Sequence, residues 1–181
     1  EVVTNVSQTI GKYEAELGRP VIGVMPAYFP LELIEAAGGY PVQLWGNNLP
    51  LGRSDAYLQS FCCSVGRSVL ELEMTGGAPM VRAYAFTSIC DTLVNLKEIY
   101  ASLFPGKPSL EFSIPMTRTD EARQSYFQEV IEGIKDELEQ ITGEKISSES
   151  LKGATELFGE TRQLQRSVYD FRRRHPGRIK S

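Results

Sequence analysis

Four short runs rich in β-branched and aromatic residues recur along the sequence, and a segment with helical periodicity separates each from the next. This alternation constrains the fold more than any other feature. The runs are VIGVM (Val21 to Met25), YPVQLWG (Tyr40 to Gly46), MVRAYAF (Met80 to Phe86) and SLEFSIP (Ser109 to Pro115). VIGVM, apolar throughout, suits a strand covered on both faces. Between the first two lies PLELIEAAGG, with Pro30 in its first turn and Gly38-Gly39 at its end, which reads as a short helix. A second helix starts near Ser60 or Ser64 and carries Val65, Val69, Leu70 and Leu72 up to the TGGAP break. A third, CDTLVNLKEIYASLF, has Leu93, Leu96, Ile99 and Leu103 on one side, with Thr87 and Ser88 as cap candidates.

The order β-α-β-α-β-α-β predicts an α/β domain with a four-stranded parallel sheet of the Rossmann or flavodoxin type. Right-handed crossovers place helices on both of its faces. Outside this unit the spacing of Val2, Val6, Ile10, Tyr13 and Leu17 predicts an N-terminal helix. Two longer helices follow the fourth strand. One, over about 120–141, turns Tyr126, Phe127, Val130, Ile134, Leu138 and Ile141 inward. The other, over about 148–173, does so with Leu151, Ala154, Leu157, Phe158, Leu164, Val168 and Phe171. They are expected to form a C-terminal antiparallel helix pair that returns over the first helix. The expected organisation is a helix over 1–18, the parallel domain over 19–115, the helical pair over 116–173, and a basic tail or linker over 174–181.

Composition excludes several function classes. The net charge is −4, whereas nucleic-acid binders usually carry a basic domain or stripe. The basic run FRRRHPGRIKS reads as a solvated tail. No apolar segment approaches the ~20 residues of a membrane span. Three cysteines are too few, and odd in number, for a disulfide-built secreted domain, so a reducing cytoplasm is the expected compartment. The sequence opens on Glu1 and stops in a basic run, which leads to the expectation of a portion of a longer chain.

Ligands of an open parallel sheet bind at the carboxyl ends of its strands. Here those positions are occupied by PAYFPLE, GNN and TSICD. Cys90 lies in the last of these. Cys62 and Cys63 stand before the helix that leads into the third strand, so all three cysteines can converge on one edge. Their spacing is neither a zinc-finger nor a ferredoxin pattern. Each is open to reading as a small buried hydrophobe. Adjacent side chains point in different directions, however, so Cys62 and Cys63 do not readily share one core site. A position near a helix start also favours an anionic sulfur at Cys63. His175, the only histidine, lies in the tail, which leaves Ser-His-Asp and Cys-His schemes without a base. Neither a Walker A sequence nor a G-x-G-x-x-G turn follows a strand. Trp45 reads as a core or rim residue.

The succession VIGVMPAYFPLELIEAAGGYPVQLWG, YLQSFCCSVGRSVLE and TSICDTLVNL resembles the 2-hydroxyacyl-CoA dehydratase and benzoyl-CoA reductase family, in its D-component-type subunit. The later YFQEVIEGIKDELEQITGEKISSESLKGATELFGETRQL is similar to that family's helical stretch, so the resemblance runs from about Arg19 to Tyr169. It implies a subunit that binds an iron–sulfur cluster, usually a 4Fe-4S cluster held by three cysteines. Such a subunit works on acyl-CoA thioesters with a second family subunit or as a homo-oligomer. It receives low-potential electrons from a separate ATP-dependent activator. In dehydratases the electron generates a ketyl radical that lets a 2-hydroxy group leave; in the aromatic branch it starts ring reduction. A third branch carries a double-cubane cluster and reduces small molecules. The resemblance implies no nucleic-acid or membrane partner.

Carried over by position, Cys63, followed four residues later by Arg67, matches one family cysteine. Cys90, in Cys-Asp with Asp91, matches another. The family's first cysteine position reads Pro26 here, and Cys62 would take its place. The cofactor-binding and metal set implied is then Cys62, Cys63 and Cys90, with Glu32, Arg67 and Asp91 as catalytic-site neighbours. Pro26 also feeds the alternative, a non-catalytic α/β subunit-interaction domain that keeps the fold and lacks the cluster. Family subunits are roughly twice as long, which makes this chain resemble the N-terminal portion of one.

Overall fold

The computed structural model describes residues 6–46, 50–115 and 120–179. Its elements in chain order are α1 (Val6–Leu17), β1 (Val21–Val24), α2 (Leu31–Ala36), β2 (Tyr40–Gln43), a 3-10 turn (Ser54–Ala56), α3 (Ser64–Met74), β3 (Val81–Thr87), α4 (Asp91–Leu103), β4 (Ser109–Phe112), α5 (Asp120–Thr142) and α6 (Ser148–Arg174). The strands form one sheet in the order β2-β1-β3-β4, and every pairing is parallel. The expected α/β fold is therefore present. The chain steps outward from β1 to β2, then back across to β3, so the strand order reverses between β1 and β3. Crevices for ligands open at such a switch point, on the carboxyl side.

Side chains of the two central strands alternate between two cores, as the period of two requires. Val21, Met25, Tyr84 and Phe86 face the layer of α3 and α4, where they meet Val69, Leu70, Leu96 and Tyr100. Ile22, Val24, Ala83 and Ala85 face α2 and α5, against Leu33, Ile34, Ile134 and Leu138. Fully buried aliphatic side chains of this kind stabilise the fold by about 1.5–3 kcal/mol each. The sheet packs closely at β2. Gly46 follows it in the left-handed region with φ 86°, and a Cβ there would run into Ser68 of α3. Only glycine meets both conditions without strain.

The outer helices differ from the sequence expectation in what they bury. On α5, Ile134 and Leu138 are buried as expected, but Tyr126 and Phe127 stay 42% exposed. On α6, Ala154 is buried, whereas Leu157, Leu164, Val168 and Phe171 are exposed. The physical reason is coverage. Contacts from α6 fall on α2, a helix of only six residues, so the far turns of α6 extend past what the described residues can cover. Helical periodicity marks an apolar stripe, and burial needs a neighbour of matching length. α6 holds its own ends: Ser147 and Ser150 form a reciprocal capping box, and Arg172 to Arg174 fill the last turn. The side chains of Val2, Val6, Ile10 and Tyr13 lie outside the described residues. No helix among the described residues is long and apolar enough to cross a membrane.

Candidate functional site at the carboxyl edge

Two helices begin on cysteine at the carboxyl edge. Cys63 is the N-cap of α3, in extended backbone, and its Sγ accepts a hydrogen bond from the Gly66 N–H at 3.4 Å. Cys90 is the N-cap of α4, also extended, and makes no side-chain cap bond. Thr87 and Ser88, expected as caps of that helix, have other work. Thr87 remains the last residue of β3, and Ser88 bonds to the chain at the end of β4. The cap falls on Cys90 because the chain leaves the sheet through a turn over 88–90 before it winds.

The two helix starts touch. A Cβ built on Gly66 would lie 2.8 Å from Cγ2 of Thr92, in the first turn of α4. The absence of a side chain at Gly66 is what lets the first turns of α3 and α4 approach. Both sulfurs are solvent-exposed. Helix N-termini carry partial positive charge from unpaired N–H groups, so this double start suits anionic sulfur or another electron-rich group.

Cys62 is placed differently. It is half-buried and packs against the core shared by α3 and α4. Its Sγ faces Oε1 of Gln59 at 3.7 Å. Neighbouring residues thus divide the roles: one sulfur fills the edge of the core, the next caps a helix in solvent.

The charged candidates are mostly engaged within the fold. Arg67 donates from Nε to Asp55 at 3.1 Å, and its Nη2 joins the same carboxylate. Asp55 belongs to the 3-10 turn, so Arg67 ties α3 to the loop that delivers the cysteines. Glu32 accepts from Nη1 of Arg162 at 2.6 Å, which links α2 to α6. Asp91 is exposed at the first position of α4, and its carbonyl accepts from Asn95 at 2.8 Å.

The sequence reading missed Glu71, which anchors that same loop from below. Only 3% exposed, its Oε2 accepts the N–H groups of Gly52 at 3.0 Å and Ser54 at 2.8 Å. Burial pushes its carboxyl pKa up, but the backbone donors of Ser54, Gly52 and Arg53 together prevail and hold it at about 2. A glutamate at an apolar register of an amphipathic helix, between Leu70 and Leu72, was the available signal.

At the switch point the backbone is strained. Ala27 and Tyr28, just past β1, have φ of 84° and 63°. Non-glycine residues in this region cost of order 1–3 kcal/mol and gather at functional sites. Oγ1 of Thr87 donates to the Ala27 carbonyl at 3.3 Å and holds the turn.

The expected three-cysteine set is not gathered into one metal-holding group. Among the described residues, no cluster of three or more Cys, His, Asp or Glu side chains is arranged to hold a metal ion, and all three cysteines are among those residues. Two of the thiols are exposed and the third packs against the core.

Comparison with known proteins gives a consistent pattern. The profile of the family "2-hydroxyglutaryl-CoA dehydratase, D-component" matches residues 26–181. The chain is 34% identical over 170 residues to one of the subunits of benzoyl-CoA reductase from Thauera aromatica, covering 93% of this chain and 44% of that protein. It is 30% identical over 179 residues to the (R)-phenyllactyl-CoA dehydratase beta subunit of Clostridium sporogenes, covering 99% and 48%. It is 32% identical over 167 residues to the beta subunit of lactoyl-CoA dehydratase from Anaerotignum propionicum, covering 92% and 44%. The chain thus spans less than half the length of each of these relatives.

Proposed function

Because the chain belongs to the 2-hydroxyglutaryl-CoA dehydratase D-component family, we propose that it is part of a subunit of an enzyme complex acting on a coenzyme A thioester. The reaction removes water from a 2-hydroxyacyl group or reduces an aromatic acyl group. One observation carries this reading. Cys63 and Cys90 start two touching helices on the carboxyl edge, in a chain similar along nearly its whole length to a reductase subunit and to dehydratase subunits. Those relatives are named as subunits, which supports a partner subunit here.

In this reading Cys63 and Cys90 are the thiols that the chain presents to the reaction site, and Asp91 is the carboxylate beside them. Arg67 and Glu32 are positioning residues, each acting through its ion pair. The finer reading, an iron–sulfur cluster supplied with electrons by an ATP-dependent activator, draws on the resemblance of the motifs. If that group is bound, at least one further donor comes from outside the Cys62, Cys63 and Cys90 set. The failure of those three to gather favours a second reading, a subunit-interaction domain that keeps the fold and binds no cluster.

The test uses the natural polypeptide that carries this chain, purified without oxygen together with any partner subunit. Iron and acid-labile sulfide are measured in the wild type and in Cys62→Ser, Cys63→Ser and Cys90→Ser. The proposal expects bound iron that is lost in Cys63→Ser and Cys90→Ser and kept in Cys62→Ser. Loss in all three variants restores Cys62 as a ligand. Wild-type protein free of iron, with its partner present, overturns the cluster reading in favour of the interaction domain.

A further inference from the structure

A groove with a cavity volume of about 610 Å³ opens at the carboxyl end of β4, lined by Tyr28, Phe112, Ile114 and Phe127, with Asp120 and Arg123 also in its wall. Its size falls within the range of small-molecule sites, and its apolar lining with a few polar groups has the composition such sites use. Phe112 and Phe127 stand edge to face, with ring centroids 5.9 Å apart at 82°. Tyr28 is 75% exposed, and the left-handed turn at Ala27 and Tyr28 carries its ring to the groove.

The groove is joined to the cysteine edge by hydrogen bonds. Oγ of Ser88 accepts the N–H of Ile114 at 2.9 Å, and the Ser88 N–H donates to the Phe112 carbonyl at 3.2 Å. Thr87 holds the carbonyl of Ala27 on the opposite wall. One dipeptide, Thr87-Ser88, therefore pins both walls, and Cys90 follows two residues later. Ser88 thus ties the strand that lines the groove to the turn that leads into α4.

The lining also sets the chemistry of the occupant. Among the described lining residues Arg123 is the cation, and its guanidinium is joined to the Asp120 carboxylate. These two opposite charges leave the described wall without a net positive charge to draw an anionic acyl end. The exposed rings of Tyr28 and Phe127 remain available to an aromatic group, which prefers the same offset or edge-to-face contacts.

From this geometry we propose that the groove binds the aryl or bulky apolar acyl group of the thioester, in preference to a short or a dicarboxylic one. The inference rests on the thioester reading above and names the substrate class of that site. Tyr28 and Phe127 are the specificity-determining residues.

The experiment titrates phenylacetyl-CoA, acetyl-CoA, glutaryl-CoA and free CoA into the natural polypeptide with its partner subunit, by calorimetry. Phenylacetyl-CoA is expected to bind roughly tenfold or more tighter than acetyl-CoA or glutaryl-CoA, the scale at which an apolar site discriminates by size. Phe127→Ala is expected to remove most of that preference. Tyr28→Gly gives a second readout, since glycine adopts the left-handed turn without strain, so the variant loses the ring without loss of fold. Equal affinity for the three thioesters, or a preference untouched by both variants, overturns the groove assignment and leaves the thioester reading standing. Absence of binding by every thioester and by free CoA overturns both.

Discussion

The two ends of the sheet treat polar residues in opposite ways. At the amino end, charges are closed against one another. Lys107, ahead of β4, donates to Oε1 of Glu73 at 2.6 Å and to the Ala78 carbonyl at 3.0 Å. The Tyr84 hydroxyl donates to the same Glu73. Burial and then Glu73 raise the phenol pKa well above its ordinary range. Arg19, ahead of β1, spans Glu35 at 3.0 Å and the carbonyls of Gly38 and Gly39. At the carboxyl end the charged residues form the frame, through Glu71, Asp55 and Arg67. The sulfurs of Cys63 and Cys90 and the ring of Tyr28 are left open. Charge density therefore does not distinguish the two ends. Exposed reactive groups on a pinned, strained backbone do.

That contrast can be broken first at the closed end. Lys107→Met leaves Glu73, whose side chain is 7% exposed, without its cation. Removing one partner of a buried pair costs about 3 kcal/mol or more, read as a lower denaturant midpoint at constant slope. Cys90→Ser at the open end places a preferred capping residue at the start of α4 and should not destabilise, with any gain limited to about 1 kcal/mol. Equal effects of the two would mean that the ends are not differently built.

A smaller effect sharpens the account of the open end. Gly66→Ala drives a Cβ into Thr92 and should cost about 1–3 kcal/mol, the range for overpacking. Thr92→Ser, which removes the obstructing Cγ2, should recover most of it in the double variant. No recovery would show that the contact between the first turns of α3 and α4 does not set their approach.

A third effect depends on pH. With its folded pKa at about 2, below the ordinary 4.5, Glu71 contributes stability that is fully present above pH 4.5 and is lost as pH falls toward 2. The stability gap between wild type and Glu71→Gln should therefore be widest above 4.5 and narrow in acid. Glu139 is held at about 2 as well, first by Lys145 and then by the Ile146 N–H. Its acid loss persists in Glu71→Gln and disappears in Glu139→Gln. Urea titrations across this range measure both, and a gap that stays constant with pH refutes the role given to Glu71.

Much of the fold was legible because its signals are local. VIGVM announces a strand covered on both faces, MVRAYAF reads as a further strand, and a strand-helix alternation admits few connections. The carboxyl edge was legible for the same reason: once the strands are parallel, the residues after each one share an end. Glu71 escaped notice because nothing in its own neighbourhood says that the loop over 52–54 will fold across it. Phe127 and Leu164 read as inward because periodicity reports a stripe and not what covers it.

The sequence by itself determined the four strands and their parallel arrangement, since both follow from period and order along the chain. Only the tertiary structure decided between Cys62 and Cys63. Both sit in the same dipeptide, and their difference arises from the α3 and α4 core that one meets and the other does not. It likewise decided that Glu32 and Arg67 spend their charges on Arg162 and Asp55. The groove at the end of β4, too, exists only once Tyr28, Phe112 and Phe127 are brought together from three separate segments. Such pairings depend on distances between remote segments, which local periodicity does not encode.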